Sequence, residues 1–149
     1  QQFLLESFSN SDHRVGQGKH LSAAFLFAVL YWFPWKQHCR TLPSGQRRML
    51  RKPMREMLGR HRIRIALPNR CSDAVVMIWE LQSVLLKRQK SQVIKTISHP
   101  RFRAAYDFFV LRAHVGDAPL DVAEWWTAYQ AADTQRRVEL LAPFEQSDP

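Results

Sequence analysis

The run Leu21-Ser-Ala-Ala-Phe-Leu-Phe-Ala-Val-Leu-Tyr-Trp-Phe33 is apolar on nearly every side of a helix, and it constrains the fold more than any other stretch. A helix without a polar face has to be enclosed by other elements, so this run predicts the central buried helix of a bundle. Leu21 to Trp35 is shorter than the roughly 20 residues a membrane span needs, and Pro34 is expected to end or kink it. No membrane span is expected.

A second helix is written by spacing. Phe102, Ala105, Tyr106, Phe109, Val110 and Ala113 fall at i, i+3, i+4, i+7, i+8 and i+11, the apolar stripe of an amphipathic helix within Ser98 to Val115. Pro100 suits its first turn and Gly116 its end, while Arg101, Arg103 and Arg112 lie off the stripe. Further helices are expected over Phe3 to Phe8, over Gln46 to Leu67 with a kink or a new start at Pro53, and over Ala74 to Leu86 after Ser72 as N-cap. Ser91 to Ile97 and the stripe Val122, Trp125, Trp126, Tyr129 predict two more. Asn10 to Lys19 and Thr41 to Gly45 read as loop and turn, and Arg60 to Leu67, which alternates polar and apolar, as a helix end or extended loop. After Asp133 at most one turn, Val138 to Leu141, is expected. The fold class is therefore all-α, an irregular multi-helix bundle, with residues 1–133 as the helical region and 134–149 as a loosely ordered tail.

The length of 149 residues suits one domain or a compact piece of a larger protein. The opening Gln1-Gln2-Phe3-Leu4, already within an apolar pattern, suggests a fragment of a larger multidomain enzyme. Cys39 and Cys71 are too few for a disulfide framework and fit a reducing, cytoplasmic compartment.

Charge is distributed unevenly about the net +9. Between Asp12 and Asp73 stand 13 Lys or Arg and one acid, Glu56, and from Lys87 to Arg103 six more cations and no acid. Beyond residue 103 three arginines face eight carboxylates. A basic face of this kind suits a polyanion, whose phosphates it neutralises with release of counterions and little sequence preference. Candidate nucleic-acid contacts are Lys87, Arg88, Lys90, Lys95, Arg101 and Arg103 in one stretch, and Arg47, Arg48, Arg51, Lys52 and Arg55 in the other. The tryptophans sit on apolar stripes and are read as core rather than as base-stacking platforms.

Catalytic patterns are missing. The sequence has no His-Glu-x-x-His or Cys-x-x-Cys, no glycine loop for phosphate and no Asp-x-Asp after a glycine pair. His38-Cys39 has no orienting acid nearby in sequence, so no catalytic or metal-binding residue is assigned and the chain alone is not expected to be an enzyme.

The blocks Ala24-Phe-Leu-Phe-Ala28, Tyr31-Trp-Phe-Pro34, Ile78-Trp-Glu-Leu-Gln82, Lys87-Arg-Gln89, His99-Pro-Arg-Phe-Arg-Ala-Ala-Tyr-Asp107 and Trp125-Trp126 follow one another in a telling order. Over roughly Asn10 to Tyr129 they resemble the C-terminal half of bacterial poly(A) polymerases, nucleotidyltransferases related to the tRNA CCA-adding enzymes. The resemblance implies an RNA-binding helical region that guides single-stranded 3′ ends to an N-terminal catalytic head. ATP and Mg would belong to that head, and no cofactor to this chain. Two features depart from the family: the ending Ala142-Pro-Phe-Glu-Gln-Ser-Asp-Pro149 is slightly acidic rather than Arg-rich, and the Arg47 to Arg64 cluster is richer in cations than expected there. The alternative is a basic helical protein-interaction or scaffold module without an RNA role. A DNA-binding module ranks last, for want of a helix-turn-helix with a clear recognition helix.

Overall fold

In a computed structural model of the chain, residues 22–45, 49–65 and 69–147 are described, the side chains of 61–65 and 145–147 excepted. The expected helix Phe3 to Phe8, the loop Asn10 to Lys19, and Arg47 and Arg48 lie outside the described residues. The described residues form seven α-helices, a closing 3-10 segment and no strand. In order these are α1 (Ala23–Thr41), α2 (Arg51–Ile65), α3 (Asn69–Lys87), α4 (Lys90–Ile97), α5 (Phe102–His114), α6 (Leu120–Ala131), α7 (Thr134–Leu141) and the 3-10 segment Ala142–Ser147. The chain divides into two compact units, residues 1–80 and 81–149, and the division falls inside α3.

In the first unit, Ser22 caps α1 with its hydroxyl, which accepts from the Phe25 N–H at 3.2 Å. Of the end or kink expected at Pro34, the end does not occur: the helix continues seven residues further, to Thr41. Proline removes the N–H that would bond to the Leu30 carbonyl, and Leu30 and Pro34 both lie on the exposed side of α1. Beyond the proline, Trp35 is buried and stacks on Trp79 with ring centroids 5.8 Å apart, which anchors the last turns. The expectation that α1 is enclosed on every side is also corrected. Ala24, Phe25, Ala28, Val29, Tyr31, Trp32 and Trp35 are buried, whereas Leu26, Leu30 and Phe33 form a stripe left 41%, 45% and 41% exposed.

Pro53 marks a helix start, as expected. The first i to i−4 bond of α2 runs from the Met54 N–H to the Leu50 carbonyl at 2.9 Å, so Pro53 occupies the first turn, where an N–H has no partner to lose. Met54, Met57 and Leu58, at i, i+3 and i+4, are buried on one face, and the backbone stays helical through the open position Gly59 to Ile65. Ser72 is not a cap, because α3 begins three residues earlier at Asn69. Asp73, inside the helix, meets Arg55 instead. Buried Trp79 donates its indole N–H to the Ala28 carbonyl at 3.1 Å.

The second unit has its own core. Leu85, Val93, Phe102, Ala105, Phe109, Ala113, Val122, Ala123, Trp126, Tyr129 and Leu141 form one cluster. It too holds a buried indole, Trp126, which donates to the Leu85 carbonyl at 2.9 Å and so satisfies a polar group that burial would otherwise penalise. The predicted stripe of α5 faces this cluster, with Tyr106 and Val110 at its margin. Pro100 lies in the turn before α5, which starts at Phe102, and Gly116 closes the helix at φ +77°, where a Cβ would be strained. Residues 134–147, for which the pattern offers at most one turn, carry α7, capped by the Asp133 carboxylate on the Arg136 N–H at 2.8 Å, and then the 3-10 segment. Leu141 joins the core, and Trp125 donates to the Leu140 carbonyl at 3.3 Å.

Candidate nucleic-acid interface

The two basic stretches hold their charges in different ways. In the first unit, α2 and α3 set cations opposite carboxylates. Arg51 grips Glu80 with two bonds, Nε to Oε1 at 2.9 Å and Nη2 to Oε2 at 2.6 Å. That pairing raises the guanidinium pKa, chiefly through the hydrogen bond and then through the Glu80 charge. Arg55 meets Asp73 at 2.8 Å and Lys52 reaches Glu56 at 3.9 Å, one turn along α2. All three cations are exposed, and each has a local counter-charge that an incoming phosphate would have to displace.

The second unit presents Lys87, Lys95 and Arg101 exposed and, among the described residues, without a carboxylate partner. Each has a local cause. Lys87 is the last residue of α3, where the helix dipole favours a cation. Lys95 lies on the outward side of α4, between the buried Val93 and Thr96. Arg101 is the N-cap of α5, held by its backbone N–H to His99 Nδ1 at 3.0 Å. Lys90 opens α4 and is partly buried. Arg103 is exposed but tied, its Nε 3.3 Å from the largely buried Asp107 carboxylate and its guanidinium 5.6 Å from the Tyr106 ring centroid.

Arg88 is unlike the others. It follows α3 in a left-handed conformation, φ +52°, and its N–H bonds to the Val84 carbonyl at 3.3 Å, a helix ending that ordinarily uses glycine. Its guanidinium lies 4.7 Å from the Phe144 ring centroid and 5.8 Å from that of Trp125. Those two rings meet edge to face at 5.6 Å. The Arg88 Nε is buried without a hydrogen-bond partner. A left-handed non-glycine residue costs on the order of 1–3 kcal/mol and an unsatisfied buried donor about as much again.

Two further arginines serve the fold. Arg112, read from periodicity as a basic group beside the stripe, is largely buried. Its Nε bonds to Asp117 Oδ2 at 2.8 Å, its Nη1 to Gln82 Oε1 at 3.0 Å and its Nη2 to the Asp117 carbonyl at 3.0 Å. Burial lowers its pKa, and Asp117 opposes that shift. Arg137 donates to the carbonyls of Tyr129 and Gln130 in the last turn of α6. The Arg112 arrangement depends on a carboxylate in the loop after α5 and an amide 30 residues away, which no local pattern announces. Among the described residues no group of three His, Cys, Asp or Glu could hold a metal ion, and no helix is long and apolar enough to cross a membrane. Both cysteines are free thiols.

A basic surface of this composition has relatives. A family model for the polymerase A arginine-rich C-terminus matches residues 45–149, a range that holds both cation stretches. The chain is similar to poly(A) polymerase I of Haemophilus influenzae, 28% identical over 154 residues, covering 100% of the chain and 34% of that protein. It is equally similar to poly(A) polymerase I of Salmonella typhi, at 28% over 155 residues with 100% and 33% covered. For the enzyme of that name from Escherichia coli O157:H7 the figures are 28% over 138 residues, with 89% and 30% covered. The chain thus spans about a third of the length of these curated relatives.

Proposed function

Because the chain belongs to the family of polymerase A arginine-rich C-termini, we propose that it is the helical, RNA-binding carboxyl-terminal part of a bacterial poly(A) polymerase. In this reading an upstream catalytic head, with ATP and Mg, adds adenylates to RNA 3′ ends in the cytoplasm. The chain's own cations hold the single-stranded RNA by its phosphates with little regard for sequence. The observation that carries the proposal is the acid-free run 87–103, in which Lys87, Lys95 and Arg101 stand exposed without a carboxylate partner among the described residues.

The test is a salt titration of labelled single-stranded oligoadenylate binding to the full-length protein. Replacing Lys87, Lys95 and Arg101 together with glutamine is expected to flatten the plot of log affinity against log salt by about 2, at roughly 0.7 for each single-strand phosphate contact. An unchanged slope would remove these residues from the interface, and no binding at low salt would end the RNA reading.

Protein interaction, the alternative function, has one observation in its favour, the exposed stripe Leu26, Leu30 and Phe33 on α1. Since the relatives are about three times as long as the chain, we assign this stripe to contact with the head rather than to a separate partner. Leu30→Asp in the full-length protein would then lower its melting temperature; an unchanged value would leave the stripe without that role.

A further inference from the structure

Arg88 combines a left-handed backbone with a buried, unpartnered Nε–H, and ending α3 requires neither. Glycine would close the helix with less strain, and an apolar side chain would pack between Phe144 and Trp125 without leaving a donor unsatisfied. The aromatic faces attract the positive charge of the guanidinium and offer its Nε–H at best a weak π acceptor. A phosphate supplies both at once, through charge-assisted and often bidentate hydrogen bonds.

The side chain over Arg88 comes from a part of the chain suited to move. Phe144 lies in the 3-10 segment Ala142–Ser147, a short element with poorer hydrogen-bond geometry than an α-helix. The anchors of α7 precede that segment: Leu141 is in the core, and Trp125 bonds to the Leu140 carbonyl. Lifting residues 142–147 therefore leaves α7 seated. In sequence, Phe144 is followed by Glu145 and Asp148 with no cation.

We propose that the segment Ala142–Ser147 is a displaceable cover on a phosphate-binding residue: with Phe144 in place Arg88 is withheld, and an arriving RNA phosphate draws its guanidinium away from that ring. The proposal deepens the reading that the 87–103 face meets RNA, and rests on it. It makes Arg88 a conditional member of that face, beside Lys87, Lys95 and Arg101, which are always presented.

The test uses the full-length protein, Phe144→Ala, and a version ending at Leu141, with oligoadenylate anisotropy as one readout. The second readout is backbone hydrogen exchange over residues 142–147, with oligoadenylate or inorganic tripolyphosphate added. Phe144→Ala and the shortened version are expected to bind oligoadenylate about three- to tenfold more tightly, a range appropriate to one added charge-assisted contact. Adding Arg88→Gln to Phe144→Ala should abolish the gain. Both phosphate ligands should speed exchange over 142–147 in the unmodified protein.

The cover is refuted if both altered proteins bind no more tightly than the parent, or if the gain survives Arg88→Gln. It is refuted alone, with the RNA reading intact, if oligoadenylate binds and exchange over 142–147 does not change. If no oligoadenylate binds but tripolyphosphate speeds that exchange in an Arg88-dependent way, the RNA reading fails and the phosphate-displaced cover stands.

Discussion

The basic stretches 51–55 and 87–103 look alike as strings of Lys and Arg and differ in what the fold sets opposite them. Arg51, Lys52 and Arg55 each face a carboxylate, from Glu80, Glu56 and Asp73. Lys87, Lys95 and Arg101 face none among the described residues. A helix in the first unit supplies the acids, because α3 carries Asp73 and Glu80 seven residues apart on the side that meets α2. Cation density therefore locates a basic stretch, and the paired helix decides whether its charge is available. Exposed pairs contribute little stability, typically 0–1 kcal/mol, so their main consequence here is competition with an incoming anion.

The largest effect is expected at a pair that is not exposed. Arg112→Ala should destabilise the second unit by about 3 kcal/mol in urea unfolding, because it leaves Asp117, whose side chain is only 12% exposed, without its cation. Arg51→Ala should cost under about 1 kcal/mol. Equal losses would erase the distinction between structural and surface arginines.

Next comes the direct exchange of sites. The combined change of Arg51, Lys52 and Arg55 to glutamine should lower the salt slope of RNA binding by less than about 0.7, against about 2 for the Lys87, Lys95, Arg101 set. Comparable drops would show that local pairing does not silence a cation. A smaller effect of opposite sign is expected when the carboxylates are neutralised instead. Glu80→Gln with Asp73→Asn frees Arg51 and Arg55, and should raise RNA affinity and steepen the slope by roughly 0.7 to 1.4 if phosphates reach them. The smallest effect concerns the helix that presents them. Gly59 is an open, exposed position within α2, so Gly59→Ala should stabilise by about 0.5–1 kcal/mol without altering RNA binding.

What the sequence made legible were the features set by neighbours three or four residues away. The stripe of Phe102, Ala105, Phe109 and Ala113, the glycine ending at Gly116 and the helix start at Pro53 are local geometry, and the structure keeps them. Pro34 does not end its helix, because the cost of an interior proline can be offset by what holds the helix beyond it. Here Trp35 against Trp79 does the holding. Leu26, Leu30 and Phe33 read as core because apolarity alone does not tell a buried face of a helix from an exposed one, and here the fold leaves them exposed.

The candidate interface was legible as charge, and the 87–103 run falls, as its pattern suggests, at the end of α3, across α4 and into the start of α5. The partners were not legible: Glu80 is 29 residues from Arg51, and Phe144 is 56 residues from Arg88. Arg88 reads as one more surface cation in sequence, and only its backbone conformation and the ring of Phe144 set it apart.

The placing of the five tryptophans gives each half of the chain its own optical signature. Trp35 and Trp79 stack with their rings 11° from parallel, and Trp125 and Trp126 stand at 90° with centroids 5.1 Å apart. Indoles this close couple their electronic transitions, so each pair should give a distinct near-ultraviolet circular dichroism band that vanishes when its unit melts. Loss of the band that Trp79→Phe removes would report melting of residues 1–80, and the band that Trp125→Phe removes would report residues 81–149. An unlabelled sample could therefore show whether the two compact units come apart together or one after the other.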